Sequence, residues 1–162
     1  MNNTEHKVVI SYLLWFRLIR RLRISGKGKR ESGAFLLGKC GESCDRVTTF
    51  ISYDKLDESA YDSGIVVLQS HAFSKLWSVC RERKLRILAD VHTHPRGAYQ
   101  SPSDQTNPMI SEQGHVALIV PNFAQGSFLQ NKGLGVYQYL GNYEWRNWSN
   151  ANRKDKFQIK LW

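Results

Sequence analysis

The sequence predicts a single α/β domain in which helices flank a curved, mixed β-sheet. A length of 162 residues suits one domain with a sizeable core, and a hydrophobic content of 41% argues against disorder. Apolar runs typical of strands are mixed with two segments of helical periodicity, without the strict alternation of a purely parallel fold. We expect residues 1–148 to form the domain and residues 149–162 to form a basic, polar tail.

The first predicted elements are a helix and a β-hairpin. Apolar residues recur at helical spacing over Ser11–Ile24, with arginines between them, and a glycine-containing segment ends the pattern. The next segment, Glu31–Lys39, has the apolar centre of a strand that enters the core. Gly41–Ser43 has the composition of a turn, so we expect Arg46–Tyr53 to return as the second strand of the hairpin.

A second helix and a buried strand are predicted for the middle of the chain. The polar segment Asp54–Gly64 indicates a loop, and Ile65–Leu68 indicates a short strand. Ser70 is the predicted N-cap of a helix over His71–Lys84, where apolar residues at i, i+3, i+4 and i+7 form one face. The apolar segment Leu85–His94 is then predicted to be a buried strand.

Three further strands are predicted after a long loop. The polar segment Arg96–Gln113 indicates that loop, with one helical turn near Gln105. The strands are predicted at His115–Val120, Leu134–Leu140 and Tyr143–Trp148. We expect the last two to pair with each other, because they are close in sequence.

The chain carries a formal net charge of +9, and much of the excess lies between Arg17 and Arg30. Such a surface can attract nucleic acid, acidic proteins or anionic lipid. It is also typical of the solvated outer face of a helix, which is the interpretation we favour. No apolar run is long enough to span a bilayer, and no signal-peptide pattern is present. The three cysteines do not suggest a disulfide framework, so a cytoplasmic protein is expected.

The strongest chemical signal is His92-Thr93-His94-Pro95 followed by Ser101-Pro102-Ser103-Asp104. In a strand, residues i and i+2 point to the same face, so both imidazoles are expected to project together. The loop that follows the proline is long enough to fold Asp104 back toward them. Two imidazoles, one carboxylate and a water suit tetrahedral zinc in a catalytic site, although the same ligands also suit non-haem iron.

Other zinc enzymes have signatures that this chain lacks. There is no H-E-x-x-H, which excludes a thermolysin-like helix site, and no P-C-x-x-C, which excludes a nucleobase deaminase. Metallohydrolase barrels also place H-x-H on a strand, but a barrel needs about 200 residues or more.

The two motifs resemble the signature of the JAMM metalloproteases, the zinc isopeptidases with an MPN-type (prokaryotic JAB) domain. That family also has an upstream glutamate before a glycine-containing apolar strand, which Glu31-Ser32-Gly33-Ala34-Phe35-Leu36-Leu37-Gly38 matches. The resemblance extends from Ser11 to about Trp148. Five residues separate Pro95 from Ser101, one fewer than is usual in the family. Either the loop is tighter or Ser103 shares the serine role; we retain Ser101, which keeps the Ser-x-x-Asp spacing.

The resemblance implies a role for each matching residue. His92, His94 and Asp104 bind one zinc ion, Glu31 is the general base, and Ser101 donates a hydrogen bond to the oxyanion. Apart from the resemblance, Glu31 could simply pair with Lys29 or Arg30, and Ser101 could be a turn residue. His115, at the start of an apolar strand, is predicted to be a packed histidine.

The resemblance also implies a substrate: a bond after the C-terminal glycine of a ubiquitin-like protein. Its extended tail would add as a strand near the zinc, with Asp54–Gly64 and Gln105–Gln113 as candidate walls. The compact chain resembles prokaryotic members that process or deconjugate ubiquitin-like modifiers in antiphage operons. The alternatives are a peptidase of a sulfur-carrier pathway, an inactive scaffold of the same fold, or a nucleic-acid-binding module that uses the basic face. Neither a membrane nor nucleic acid is the expected partner.

Overall fold

A computed structural model describes residues 6–126, 133–150 and 152–162. Within them, one mixed sheet contains eight strands: β1 (Lys7–Ser11), β2 (Gly33–Lys39), β3 (Cys44–Ser52), β4 (Arg86–Thr93), β5 (Val116–Val120), β6 (Gly135–Gly141), β7 (Glu144–Asn147) and β8 (Phe157–Lys160). The spatial order is β7-β6-β5-β4-β2-β3-β1-β8. The helices are α1 (Tyr12–Gly26), α2 (Tyr53–Leu56), α3 (Ser70–Arg83), α4 (Pro102–Thr106) and α5 (Arg153–Lys156). The predicted α/β class with a mixed sheet is confirmed.

The sheet has a hydrophobic core on each face. On one face, α1 packs its buried residues Trp15, Leu18 and Leu22 against strand residues such as Val91 and Leu118. Ser11 caps the start of α1 by accepting a hydrogen bond from the Leu14 amide at 3.2 Å. On the other face, α2 and α3 cover β2, and the cluster there is built around the aromatic rings and leucines of the two layers: Phe35, Leu37, Tyr53, Leu56 and Leu76. Two separate cores therefore hold the sheet in place.

The topology creates a cleft beside β4. This strand pairs antiparallel with β2 and parallel with β5. The chain that leaves β4 must therefore travel back along the whole strand length before β5 begins. That return segment, residues 94–115, contains the short helix α4. The end of β4 consequently faces this segment and its first helical turn.

Most predicted elements agree with the structure to within a few residues, and β6 and β7 form the predicted pair. Three predictions were wrong. Ile65–Leu68 joins no strand ladder in the described part of the chain, and the Val67 amide instead donates to the Ala60 carbonyl in the preceding loop. Ser70 is the first residue of α3; the N-cap is Gln69, which makes no side-chain capping bond. The loop Asp54–Gly64 begins with α2 and not with irregular chain.

Both ends of the chain contribute to the same edge of the sheet. The short strand β1 was not predicted, since five residues directly before a helix carry little periodicity. Residues 149–162 were predicted as a polar tail of uncertain order, whereas α5 and β8 lie there. Strand β8 pairs in parallel with β1, and Phe157 is buried in the core under α1. No helix of the described ranges has the length and apolar character needed to cross a membrane.

Candidate metal centre

His92 and His94 lie together at the end of β4. Their Nε2 atoms are 3.0 Å apart, and both side chains are about nine-tenths buried, with exposed fractions of 9% and 11%. The alternation of strand side chains places both on the face opposite α1, as the i, i+2 spacing predicts. The backbone of His94 is held from both sides, because its amide donates to Val120 and its carbonyl accepts from Phe123. The two imidazoles are thus held in place by β5 and the turn that follows it.

That turn has an unusual backbone. Asn122, Phe123 and Ala124 all adopt positive φ angles of 54°, 49° and 59°. Left-handed backbone costs about 1–2 kcal/mol for each residue with a side chain. The turn is retained by hydrogen bonds to the His94–Arg96 segment and by Arg23 of α1, which donates to the Ala124 carbonyl at 2.8 Å. Strain is therefore stored directly behind a candidate metal ligand.

Asp104 reaches the histidines from the first turn of α4. One carboxylate oxygen, Oδ1, lies 3.3 Å from Nε2 of His92, and the other, Oδ2, lies 3.2 Å from Nε2 of His94. Asp104 also closes a capping box with Ser101: its Oδ2 accepts from the Ser101 amide at 2.7 Å, while Ser101 Oγ accepts from the Asp104 amide at 3.1 Å. The Ser-x-x-Asp spacing consequently has a local cause, since N-cap and N3 residues satisfy each other's amides.

The three side chains can hold a metal ion. One ligand atom from each of His92, His94 and Asp104 lies within 4.8 Å of the others. Burial alone would lower the pKa of His92, but Asp104, Asp90 and Glu31 together raise that pKa. Burial opposes ionisation of Asp104 as well, yet hydrogen bonds with both imidazoles hold its pKa well below the usual range. Without an ion, the cluster therefore favours a proton that is shared between the imidazole nitrogens and the carboxylate. A metal cation can bind in place of that proton.

Glu31 faces this cluster from the opposite wall. Its Oε1 lies 4.0 Å from Nε2 of His94, and its Oε2 accepts a hydrogen bond from the Val66 amide at 3.3 Å. Gly33, two residues later, is in register with His92, and a side chain there would overlap the Tyr53 ring and the Val91 carbonyl. The glycine thus permits the close approach of strands that brings Glu31 to the histidines.

The alternative partners of Glu31 are engaged elsewhere or exposed. The Arg30 guanidinium donates to the Ser25 carbonyl and lies over the Tyr61 ring, 5.5 Å from its centroid. Lys29 is exposed to solvent. The structure therefore brings together four of the five predicted site residues, and Ser101 lies beside them as the N-cap of α4. Ser103, the other candidate serine, lies on the exposed side of that helix.

A small cavity of about 40 Å³ adjoins the cluster and opens to solvent. Its polar lining includes the side chains of Glu31, Asp90, His92, Gln100, Asp104 and Asn107. Its apolar lining consists of Val66, Pro108, Met109, Ala117, Ile119 and Trp145. The predicted wall Gln105–Gln113 is represented by three of these residues. The other predicted wall, Asp54–Gly64, contributes no lining residue. The cavity is lined instead by Val66, two residues further along the chain.

Three further residues of this site lie outside the sequence motifs. Gln100 directly precedes Ser101 and had no motif to mark it. Trp145 lies on β7, and its Nε1–H donates to the Gln105 carbonyl at 3.1 Å, so it braces α4 against the sheet. Asp90 is buried two residues before His92, and strand alternation alone would have placed it on the same face. His115 is packed as predicted, since its Nε2 lies 2.7 Å from Asp90 Oδ1 in the interior.

Comparison with known proteins gives partial support for a metalloprotease. No protein-family model matches the chain. A Sinorhizobium fredii protein described as a "Probable metalloprotease" is 40% identical over 47 residues, a stretch that covers 29% of this chain and 29% of that relative. The solution structure of a Desulfitobacterium hafniense protein matches with a TM-score of 0.63 at 12% identity, over 96% of this chain and 94% of that one. One from Salinibacter ruber matches with a TM-score of 0.52 at 17% identity, over 81% and 84% of the two chains. These two structures support the fold alone.

Proposed function

We propose that this chain is a zinc-dependent isopeptidase of the JAMM type, with a single MPN-type domain, that cleaves after the C-terminal glycine of a ubiquitin-like protein. The observation that carries the proposal is the carboxylate of Glu31, which faces the His92, His94 and Asp104 cluster across a solvent-open cavity. A metal site with a facing base is the arrangement that hydrolysis requires. The short relationship to a metalloprotease agrees with it.

Zinc is the ion that we propose for the cluster. A tetrahedral ion with bonds of about 2.0–2.1 Å places its ligand atoms about 3.3–3.4 Å apart. The two Nε2 atoms are 3.0 Å apart, and each lies 3.2–3.3 Å from a different oxygen of Asp104, so these side chains can surround one such ion. Iron would accept the same ligands, but the facing carboxylate favours hydrolysis over redox chemistry.

Each residue has a separate task in the proposed reaction. When bound, zinc lowers the pKa of a water molecule and polarises the scissile carbonyl. Glu31 takes the proton of the attacking water and delivers it to the leaving amine. Ser101 uses its oxygen to accept from the Asp104 amide, which leaves its O–H to donate to the oxyanion of the tetrahedral intermediate. The donor is positioned by the same capping box that orients a metal ligand.

The segment beside Glu31 suits an extended substrate tail. Residues 65–68 lie outside the helices and strands, with Ile65 and Val67 exposed by 53% and 42% and the alternate residues partly buried. The Glu31 amide and carboxylate hold this segment through Gly64 and Val66. A tail that added here as a strand would run past the base toward the cluster. Alanine substitutions at Ile65 and Val67 should raise KM for a full-length substrate and leave metal content unchanged; an unaltered KM would contradict this placement.

The biological setting that we favour is deconjugation or precursor processing of a modifier in a bacterial antiphage system, in the cytoplasm. Processing in a sulfur-carrier pathway is the alternative within the same chemistry. An inactive scaffold is disfavoured because Glu31, both histidines, Ser101 and Asp104 are all present. A nucleic-acid-binding role is disfavoured because three of the seven basic residues between Arg17 and Arg30 make contacts within the protein. Arg21 pairs with Asp54 at 2.6 Å, and Arg23 and Arg30 bind backbone carbonyls.

The test compares wild type with Glu31→Gln, using Glu42→Gln in the exposed hairpin turn as the matched control. Metal analysis should find about one zinc ion per chain in all three proteins. Cleavage of a ubiquitin-like domain fused to a C-terminal extension should occur with wild type and Glu42→Gln. We expect Glu31→Gln to be slower by about 10²–10⁴-fold. Full activity of Glu31→Gln would refute the mechanism, and zinc-free wild type would refute the metal assignment.

A further inference from the structure

A buried carboxylate lies behind the metal ligands and has no task in the reaction above. Asp90 is 2% exposed and precedes His92 by two residues on the same face of β4, a spacing of about 7 Å along a strand. Its side chain lines the same cavity as His92 and Glu31. The strand that presents the histidines therefore also presents a negative charge beneath them.

Two buried side chains hold Asp90 in one orientation. His115 Nε2 lies 2.7 Å from Oδ1, and the Tyr53 hydroxyl donates to Oδ2 at 3.5 Å. His115 and Tyr53 are 8% and 0% exposed. Removing a carboxylate from water is costly, and a buried Asp–His pair contributes little net stability compared with apolar residues of similar volume. The fold alone does not require this pair, which points to a role in the adjacent site.

The surroundings of His92 indicate what that role is. Histidines that bind metals usually donate their second ring N–H to a carboxylate or a carbonyl, which strengthens them as ligands. Nδ1 of His92 is buried, yet it has no hydrogen-bond partner among the residues that the structure describes. Direct support of this ligand is thus missing. Asp90 lies on the same face of β4 and lines the same cavity, so its charge is placed to act on this ligand.

We infer that Asp90, oriented by His115 and Tyr53, is a positioning residue whose fixed negative charge strengthens binding of a divalent cation by His92, His94 and Asp104. The charge lies two strand residues from His92, from where it attracts the ion and compensates for the missing hydrogen bond at His92. This inference rests on the proposed metal function. It assigns a purpose to a buried Asp–His pair that neither the fold nor the reaction explains.

The test measures Co²⁺ and Zn²⁺ affinity by competition with a chelator, together with the visible spectrum of the Co²⁺ protein. Asp90→Asn keeps the size of the side chain and an acceptor for His115, and removes only the charge. We expect it to bind the ions about tenfold more weakly. The matched control is Asp57→Asn, which alters another buried aspartate, 3% exposed, that caps the loop before α3. Asp57→Asn should lower thermal stability without changing either affinity.

A second variant separates charge from structure. His115→Gln retains a donor for Asp90 and leaves the Asp90 carboxylate in place, so metal affinity should stay close to that of wild type. Equal weakening in Asp90→Asn and His115→Gln, or wild-type affinity in Asp90→Asn, would overturn the inference. Should Asp90→Asn fail to fold, the double variant Asp90→Asn/His115→Gln replaces both buried side chains by amides. We expect it to bind the ions about tenfold more weakly as well. Wild type that binds neither ion would instead refute the proposed function.

Discussion

The two faces of β4 differ in the chemistry of the side chains that they carry. On one face, Ala89 and Val91 pack under α1 within an apolar core. On the other face, Asp90, His92 and the adjoining His94 form a buried row of ionisable groups. The backbone and the strand partners are the same for both rows. The difference shows that a period of two is enough to separate residues that stabilise the fold from residues that perform chemistry.

What covers each face explains the contrast. A continuous helix, α1, excludes water from the first row and offers only apolar contacts. The return segment from β4 to β5 covers the second row, and it brings polar groups such as Asp104 and leaves a cavity beside them. The first face contributes stability, and the second uses some of that stability to keep charged groups buried. Substitutions on the two faces should therefore have separable effects.

The largest expected effect is on the chemical face. His94→Ala removes one of three metal ligands, so metal content should fall from about one ion per chain to an undetectable level, and cleavage should cease. Mass spectrometry of the native protein and the fusion-cleavage assay measure the two losses. His71→Ala, on the exposed side of α3, is the control and should behave as wild type. Full metal content in His94→Ala would break the assignment of the faces.

The opposite face should respond in stability alone. Leu118→Ala removes a fully buried side chain from the core under α1, which should lower the free energy of unfolding by about 2–5 kcal/mol. Urea denaturation measures the change. Zinc affinity of the folded variant should match that of wild type, because Leu118 points away from the cluster. A large loss of affinity would show that the two faces are coupled.

Acid should affect the chemical face first. In the metal-free protein the pKa of His92 is raised above 6.5, so protonated His92 stabilises the fold below pH 6.5, and this contribution disappears as pH rises through the raised pKa. Metal binding requires the neutral ring. As the pH is lowered, metal affinity should therefore fall by about tenfold per pH unit for each displaced proton, and the fall should begin above pH 6.5. Asp104, with its lowered pKa, stays ionised throughout. Chelator competition at several pH values measures the change. A metal affinity that stays constant as the pH is lowered would contradict the prediction.

The smallest expected effect compares two tryptophans. Trp145 donates to the Gln105 carbonyl beside Asp104, whereas Trp148 donates to Gln138 Oε1 and is buried in the core under α1. Loss of one such bond costs about 0.5–1.5 kcal/mol. Trp145→Phe should weaken zinc affinity by about two- to tenfold with little change in stability. Trp148→Phe should lower the free energy of unfolding and leave zinc affinity unchanged. Identical profiles for both variants would remove Trp145 from the site.

The local parts of the site were predictable because short-range geometry governs them. Strand alternation is sufficient to place His92 and His94 together, and helix capping accounts for the spacing of Ser101 and Asp104. Elements that depend on distant partners were not predictable. Strand β1 exists because β3 and β8 pair with it, and Ile65–Leu68 remains outside the sheet because loop residues satisfy its amides. Neither partnership leaves a trace in local periodicity.

The sequence by itself determined which chemistry is available. Residue types and spacings within about a dozen positions specify a His–His–Asp ligand set, and one upstream glutamate supplies a base. Only the tertiary structure decided that Glu31 faces His94 at 4.0 Å, that Asp90 lies paired with His115 beneath the ligands, and that Trp145 braces α4. The physical reason is range: hydrogen-bonding and steric rules act over a few residues, whereas contacts between distant segments depend on how the whole sheet is assembled.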